Sequence, residues 1–162
     1  MVLTVFEPAV RSLGDALRAR GTMLATAESC TGGLIAAACT AVAGSSDWFE
    51  RGFVTYSNAA KTELLGVDAA LIQAHGAVSA EVACAMAEGA LAHSKAGLAV
   101  AVTGIAGPGG AVPGKPVGTV WFALARRDRP ATAELLQLGG DRTAVREQTV
   151  AHALSRLLEA LS

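Results

Sequence analysis

The chain is 162 residues long, 52% hydrophobic and 17% charged, with a formal net charge of −1. That length and apolar content suit one domain with a real core and exclude a disordered chain. The near-neutral balance, with a pI of about 6.3, offers no basic surface for nucleic acid or an anionic membrane, and no apolar run approaches the ~20 residues of a membrane span.

The apolar residues are mostly Ala, Val and Leu, with 4% aromatics, a composition suited to helices packed closely on a sheet. The first residues, Met1 to Glu7, have neither the basic region nor the cleavage pattern of a signal peptide. Cys30, Cys39 and Cys84 form no CxxC pair and leave an odd thiol, which fits reduced cysteines in the cytoplasm. His75, His93 and His152 are scattered without ligand spacing, so no metal is expected.

In chain order, Val5, Val10, Leu13 and Leu17 fall at helical spacing, and the pattern predicts a helix over 5–20 with Gly21 as its stop. An apolar strand over 22–27 and a helix over 31–42 follow. Gly44 to Asp47 reads as a turn and 48–56, with Phe49, Phe53, Val54 and Tyr56, as a strand. A short helix runs from Ser57-Asn58 to Leu65, stopped by Gly66, and residues 68–74 form another helical turn. Ser79 caps a helix over 80–93, with Glu81 near its positive end. A buried strand over 98–103 enters the Gly/Pro loop 104–116. Strands 117–125 and 132–138 pair as an antiparallel hairpin around Arg127 to Pro130. Asp141 caps a last helix, 142–160, with Val145, Val150, Leu154, Leu157 and Leu158 in one stripe. There is no repeat or linker. The order implies one domain, 1–162, a three-layer α/β/α sandwich with a mixed sheet.

The richest segment is Ala27-Glu28-Ser29-Cys30-Thr31-Gly32-Gly33, a polar turn between strand and helix. Such a turn puts hydroxyls where α/β proteins collect ligands and aims helix N-terminal N–H groups at an anion or oxyanion. Ser29 and Thr31 would equally serve as plain helix caps. Three other places combine reactive groups with loop positions: Tyr56-Ser57-Asn58 with Lys61, Thr103 to Gly107, and Gly139 to Arg142.

A serine needs a neighbour to take its proton, and a lysine neutralised by burial can do so. The chain has three lysines against ten arginines, so a lysine at 61 suggests a group able to lose its proton, although a solvated helix residue is the plainer reading. Tyr56, the sole tyrosine, either orients that amine or is a strand-end residue with a wet hydroxyl. Cys30 is a rival nucleophile or a small buried hydrophobe. Thr103 and Gly104 could serve a substrate or an empty turn, and Arg142 a phosphate or the solvent. The glycines of 104–110 match neither GxGxxG nor a Walker loop.

Several runs, in order, are similar to the CinA C-terminal-domain family: residues 27–33, Gly44-Ser45-Ser46, Arg51 to Lys61, His75 to Ser79, Thr103 to Pro108 and Lys115 to Trp121. The resemblance covers about residues 10–155. It implies hydrolysis of the carboxamide of nicotinamide mononucleotide (NMN) to nicotinate mononucleotide and ammonia, in recycling of pyridine nucleotides. It assigns Ser29 as nucleophile, Lys61 as general base and Tyr56 as its assistant. Thr103 and Arg142 fall in the substrate site, with Thr31, Gly32, Gly33, Ser46, Asn58, Gly104 and Gly107 of the same motifs. It further implies a cytoplasmic homodimer of the stand-alone form, with no cofactor. Gly109 to Gly114 depart from the family pattern, which often has an acidic residue after the proline. The alternative is a non-catalytic nucleotide-binding module linked to competence or DNA damage, which would need no Ser/Lys pair.

Overall fold

The computed structural model describes residues 1–162. A 3-10 turn, Leu3–Phe6, leads into α1 (Glu7–Arg20), then β1 (Leu24–Glu28) and α2 (Leu34–Thr40). A second 3-10 turn, Ser45–Asp47, precedes β2 (Phe49–Val54), and α3 (Asn58–Leu65), α4 (Ala69–His75) and α5 (Ala80–Ala92) follow. The chain ends with β3 (Leu98–Gly104), β4 (Thr119–Arg126), β5 (Arg129–Gln137) and α6 (Arg142–Ala160). The sheet order is β2-β1-β3-β4-β5; β1 is parallel to both neighbours, and β4 and β5 are antiparallel additions. This is the mixed α/β/α sandwich the sequence implies.

Four helices start where their caps are written: the side chains of Ser57, Asp68, Ser79 and Asp141 each accept an N–H from the first helical turn. Elsewhere the boundaries move. The strand expected from residue 22 begins at Leu24 and runs through Glu28. The helix expected from residue 31 begins at Leu34, because Gly32 and Gly33 take φ of +59° and +102° and hold the chain in a turn. The hairpin turn is tighter than expected, with Arg126 paired to Arg129, so β5 contains Pro130. A missing N–H is tolerated there because β5 is an edge strand.

The two sheet faces differ in grain. One carries Leu24, Leu98, Val100, Val102 and Phe122 under α1, α2 and α6. The other carries Ala25, Ala27, Ala99, Ala101, Ala123 and Ala125 against Ala83, Met86, Ala87 and Ala90 of α5. Small residues on both sides let α5 lie close to the sheet. It in turn supports α3 at Gly89, where an added Cβ would lie 2.1 Å from Leu65 O.

β1 leads through α2 to β2 on one side, while β3 takes the other side, so the β1/β3 boundary is a topological switch point, where open α/β sheets form their ligand crevice. The turn 28–33 and the loop 104–116 leave the sheet together at that end, joined by Ser29 N–H donating to Val102 O at 3.0 Å. No helix is long and apolar enough to cross a membrane.

Gly89→Ala should lower stability by about 1–3 kcal/mol, because the contact beneath it is backbone and cannot rotate away. Urea denaturation measures the loss.

Candidate active site

The site begins with a buried charge. Glu28, 1% exposed, ends β1 beneath the first turn of α2. Its Oε1 accepts from Thr31 Oγ1 at 2.6 Å and Ile35 N at 2.8 Å, and its Oε2 from Ala36 N at 3.0 Å. Three donors and the positive end of α2 offset the cost of removing a carboxylate from water. The contacts fix Ser29 to Gly33, and Gly32 N donating to Ser29 O at 3.0 Å closes the turn. No backbone carbonyl accepts the N–H of Cys30, Thr31 or Gly33.

Ser29 lies on the α5 side of the turn, where α3 delivers Lys61. Lys61 is 1% exposed, with Nζ 3.0 Å from Ser29 Oγ. Nζ also donates to Thr55 O at 2.8 Å and Tyr56 O at 3.4 Å. Thr55 is itself fixed by its N–H donating to Glu28 O at 2.9 Å. Burial holds the Lys61 pKa below its ordinary value; the neighbouring Cys30 sulfur pulls weakly the other way. Burial pushes the Cys30 thiol up to about 12, with Glu28 adding to the shift and its own N–H opposing it. A thiol so placed stays protonated, and Cys30 packs with Ala106, Val120 and Val145 as a small apolar residue.

Above Ser29 and Cys30 lies a cavity of about 190 Å³, walled by Tyr56, Arg142 and the backbone of Gly104 to Gly107, Gly109 and Gly110. Arg142, the first residue of α6, donates from Nη1 to Gly107 O at 2.8 Å and from Nη2 to Tyr56 Oη at 3.2 Å. A larger groove, about 550 Å³, lies between the β4–β5 hairpin and the end of α6. Its arginines are engaged: Arg126 donates to Ala160 O, and Arg156 to Glu134 and Glu159.

Ser29, Lys61, Tyr56, Gly104, Gly107 and Arg142 are thus brought together, on strand ends and helix starts that converge at the switch point. Tyr56 contributes differently from expectation: its backbone carbonyl holds Lys61, while its phenol, on a side chain exposed in a 63% exposed residue, meets Arg142. The hydroxyls of Thr31 and Thr103 are turned elsewhere. Thr31 gives its hydroxyl to Glu28, and Thr103 gives its own to Ala77 O at 2.9 Å on the α5 side of the sheet. Asn58 is exposed at the start of α3. Ser46 lies before β2, whose first residue pairs with Leu24 at the beginning of β1, about 13 Å of strand from the site. A Gly-Ser-Ser turn gives no sign of which end of the sheet it occupies.

Sequence reading missed Glu28 as the anchor, Thr55 as the carbonyl that positions Lys61, and Arg146, which donates to Cys30 O and Thr31 O. An acidic residue immediately before a small-residue turn and helix was a usable signal for the first. The other two depend on tertiary approach. The histidines occupy themselves elsewhere: His75 with Glu81, His93 with Gly89 O and His152 with Glu134.

Fold and site together define a three-layer α/β/α domain with a buried serine–lysine pair at the switch point of its sheet. The chain belongs to the CinA C-terminal domain family, whose model matches residues 7–161. It is 52% identical over 145 residues to the nicotinamide-nucleotide amidohydrolase PncC of Escherichia coli, covering 90% of this chain and 88% of that protein. A competence-damage inducible protein of Symbiobacterium thermophilum is 57% identical over 157 residues, covering 92% of this chain, but the chain spans only 37% of that longer relative. The crystal structure of competence/damage inducible protein CihA from Agrobacterium tumefaciens superposes with a TM-score of 0.92 at 48% identity, covering 96% of this chain and 94% of that one.

Glu28→Gln should destabilise the protein by about 1–3 kcal/mol, since the amide turns an N–H₂ toward buried donors; chemical denaturation checks this. Iodoacetamide at pH 7.5 should leave Cys30 unmodified in the folded protein, read by peptide mapping, and Cys30→Ala should keep the activity of the parent.

Proposed function

We propose that this protein is a nicotinamide-nucleotide amidohydrolase that converts NMN and water to nicotinate mononucleotide and ammonia, recycling pyridine nucleotide. The observation that carries this reading is the desolvated Lys61 amine 3.0 Å from Ser29 Oγ. A passive nucleotide-binding module has no use for a buried lysine held against a serine. The naming of the Escherichia coli relative, matched along nearly its whole length, supports the substrate.

The geometry suits base catalysis. In neutral Lys61 the two N–H bonds point to Thr55 O and Tyr56 O, which leaves the lone pair for the Ser29 hydroxyl. After proton transfer the ammonium keeps the same three contacts, so the lysine need not move between its two states. Ser29 Oγ attacks the carboxamide carbon, and the carbonyl oxygen becomes an oxyanion. The N–H groups of Cys30 and Thr31, which no carbonyl of the protein takes, stabilise it, each good donor contributing about 3 kcal/mol. The Lys61 ammonium then gives its proton to the leaving nitrogen, and ammonia departs from an acyl-serine. Water adds through the same base, releasing the acid and restoring Ser29.

The cavity, at about 190 Å³, is smaller than the about 300–1,000 Å³ of sites enclosing a whole drug-sized ligand. It suits the flat pyridine ring against the backbone of 104–110, with the ribose phosphate outside. Arg142, exposed at the mouth, is placed to meet that phosphate.

Purified protein given NMN with EDTA present should release ammonia matched one to one by nicotinate mononucleotide. Ser29→Ala and Lys61→Ala should fold and lose at least about 10³-fold in kcat. Retention of most activity by Ser29→Ala would sink the assignment of the nucleophile. The pH dependence follows from the lowered Lys61 pKa: below it the amine is protonated and cannot accept, so kcat/KM should rise with pH, with its midpoint below the ordinary lysine pKa. Lys61→Ala should lose that limb in its residual rate.

A further inference from the structure

Arg142 and Arg146 lie one turn apart on α6 and reach opposite walls of the cavity. Arg142 holds the glycine loop through Gly107 O. Arg146 holds the nucleophile turn: Nε donates to Cys30 O at 3.2 Å and Nη2 to Thr31 O at 3.3 Å. Between them Val145 is buried with Cys30, Ala106 and Val120, so the helix is seated firmly against the turn. Arg146 is not among the residues walling the cavity and bonds neither Ser29 nor Lys61.

In a trans peptide the C=O and N–H point in opposite directions. Drawing Cys30 O toward α6 therefore aims the N–H of Thr31 away from it, and no carbonyl of the protein takes that N–H. The next peptide is fixed at both ends, with Thr31 O accepting from Arg146 Nη2 and from Leu34 N, and Gly32 N donating to Ser29 O. The turn needs such a hold, because its last two residues are glycines at φ +59° and +102° and the backbone has other conformations within reach. A planar guanidinium spanning two successive carbonyls fixes both peptide planes together, which a lysine's single centre cannot do. Glu28 pins the turn from the sheet side through Thr31 Oγ1, and Arg146 pins it from the helix side.

We propose that Arg146 is a positioning residue that, by holding the carbonyls of Cys30 and Thr31, aligns the backbone N–H groups receiving the oxyanion when Ser29 attacks the amide. The proposal rests on the amidohydrolase reading.

The experiment compares the parent with Arg146→Met and Arg146→Lys on NMN. It also measures their affinity for the pyridine-3-carboxaldehyde mononucleotide and for nicotinate mononucleotide. The aldehyde mimics the tetrahedral state: Ser29 Oγ bonds to its carbon, the serine proton passes to Lys61, and the former carbonyl oxygen carries the negative charge. The acid makes the ring and phosphate contacts without that oxyanion. In Arg146→Met, kcat should fall on the order of 10²-fold, with KM and acid affinity within threefold of the parent. Aldehyde affinity should fall by the same factor as kcat/KM, and Arg146→Lys should lie between the two. The ratio of aldehyde to acid affinity does not depend on the folded fraction, so it decides the matter even for a poorly folding variant. An active parent whose variants keep kcat within threefold, or lose both affinities equally, overturns the proposal alone. A parent that neither hydrolyses NMN nor prefers the aldehyde overturns the amidohydrolase reading and this inference with it.

Discussion

A carboxylate buried at the end of a central strand governs the rest of this structure. Glu28 has no water to solvate it, so the chain must bring donors to it, and those nearest are the Thr31 hydroxyl and the first amides of α2. Meeting that requirement fixes where α2 starts, how residues 29–33 turn and which way the Ser29 side chain leaves the strand. Thr55, tied to Glu28 O, transmits the same constraint to the carbonyl that holds Lys61. Ser29 and Lys61 are therefore both referenced to one residue that bonds neither Ser29 Oγ nor Lys61 Nζ.

The second requirement is closeness. Lys61 reaches Ser29 only because α3 rides low over the sheet, and α3 rides low because it rests on an α5 packed alanine to alanine on β1, β3 and β4. The opposite face, with leucines, valines and a phenylalanine beneath α1 and α6, carries the bulkier part of the core. The division separates tasks. One face supplies most of the large side chains whose burial stabilises the fold, at about 1.5–3 kcal/mol each. The other gives up bulk for proximity, and desolvates a lysine as a result.

Much of this was legible in the sequence, for reasons that can be stated. Helix starts at Ser57, Asp68, Ser79 and Asp141 are local chemistry, a side chain bonding its own first turn, and local chemistry is written in adjacent residues. The strands of the β1–β3 centre are short, mostly apolar runs, and the family motifs point to Ser29 and Lys61 together. The failures are equally physical. Two successive glycines postpone α2 by three residues, a backbone effect that hydrophobic periodicity does not register. Thr103 and Thr31 are hydroxyls at the right end of the sheet whose bonds go to Ala77 O and to Glu28, partners that only the folded chain brings within reach or buries beside them. Ser46 sits in a motif of the right composition at the wrong end of β2. Arg146 leaves no trace in its neighbours, since its meaning depends on a helix docking 116 residues after Cys30.

That last separation carries a consequence for folding. Ser29 and Lys61 precede β3 in the chain, but α6, the helix that grips the turn, follows β5. Its end is in turn fastened to the first helix, through Arg20 donating to Leu161 O from Nε and Nη2. The contacts that grip the turn are therefore of long sequence separation, and they form only once segments far apart in the chain have docked. The order of residues 29–33 is thus a property of the whole domain rather than of the segment that contains them.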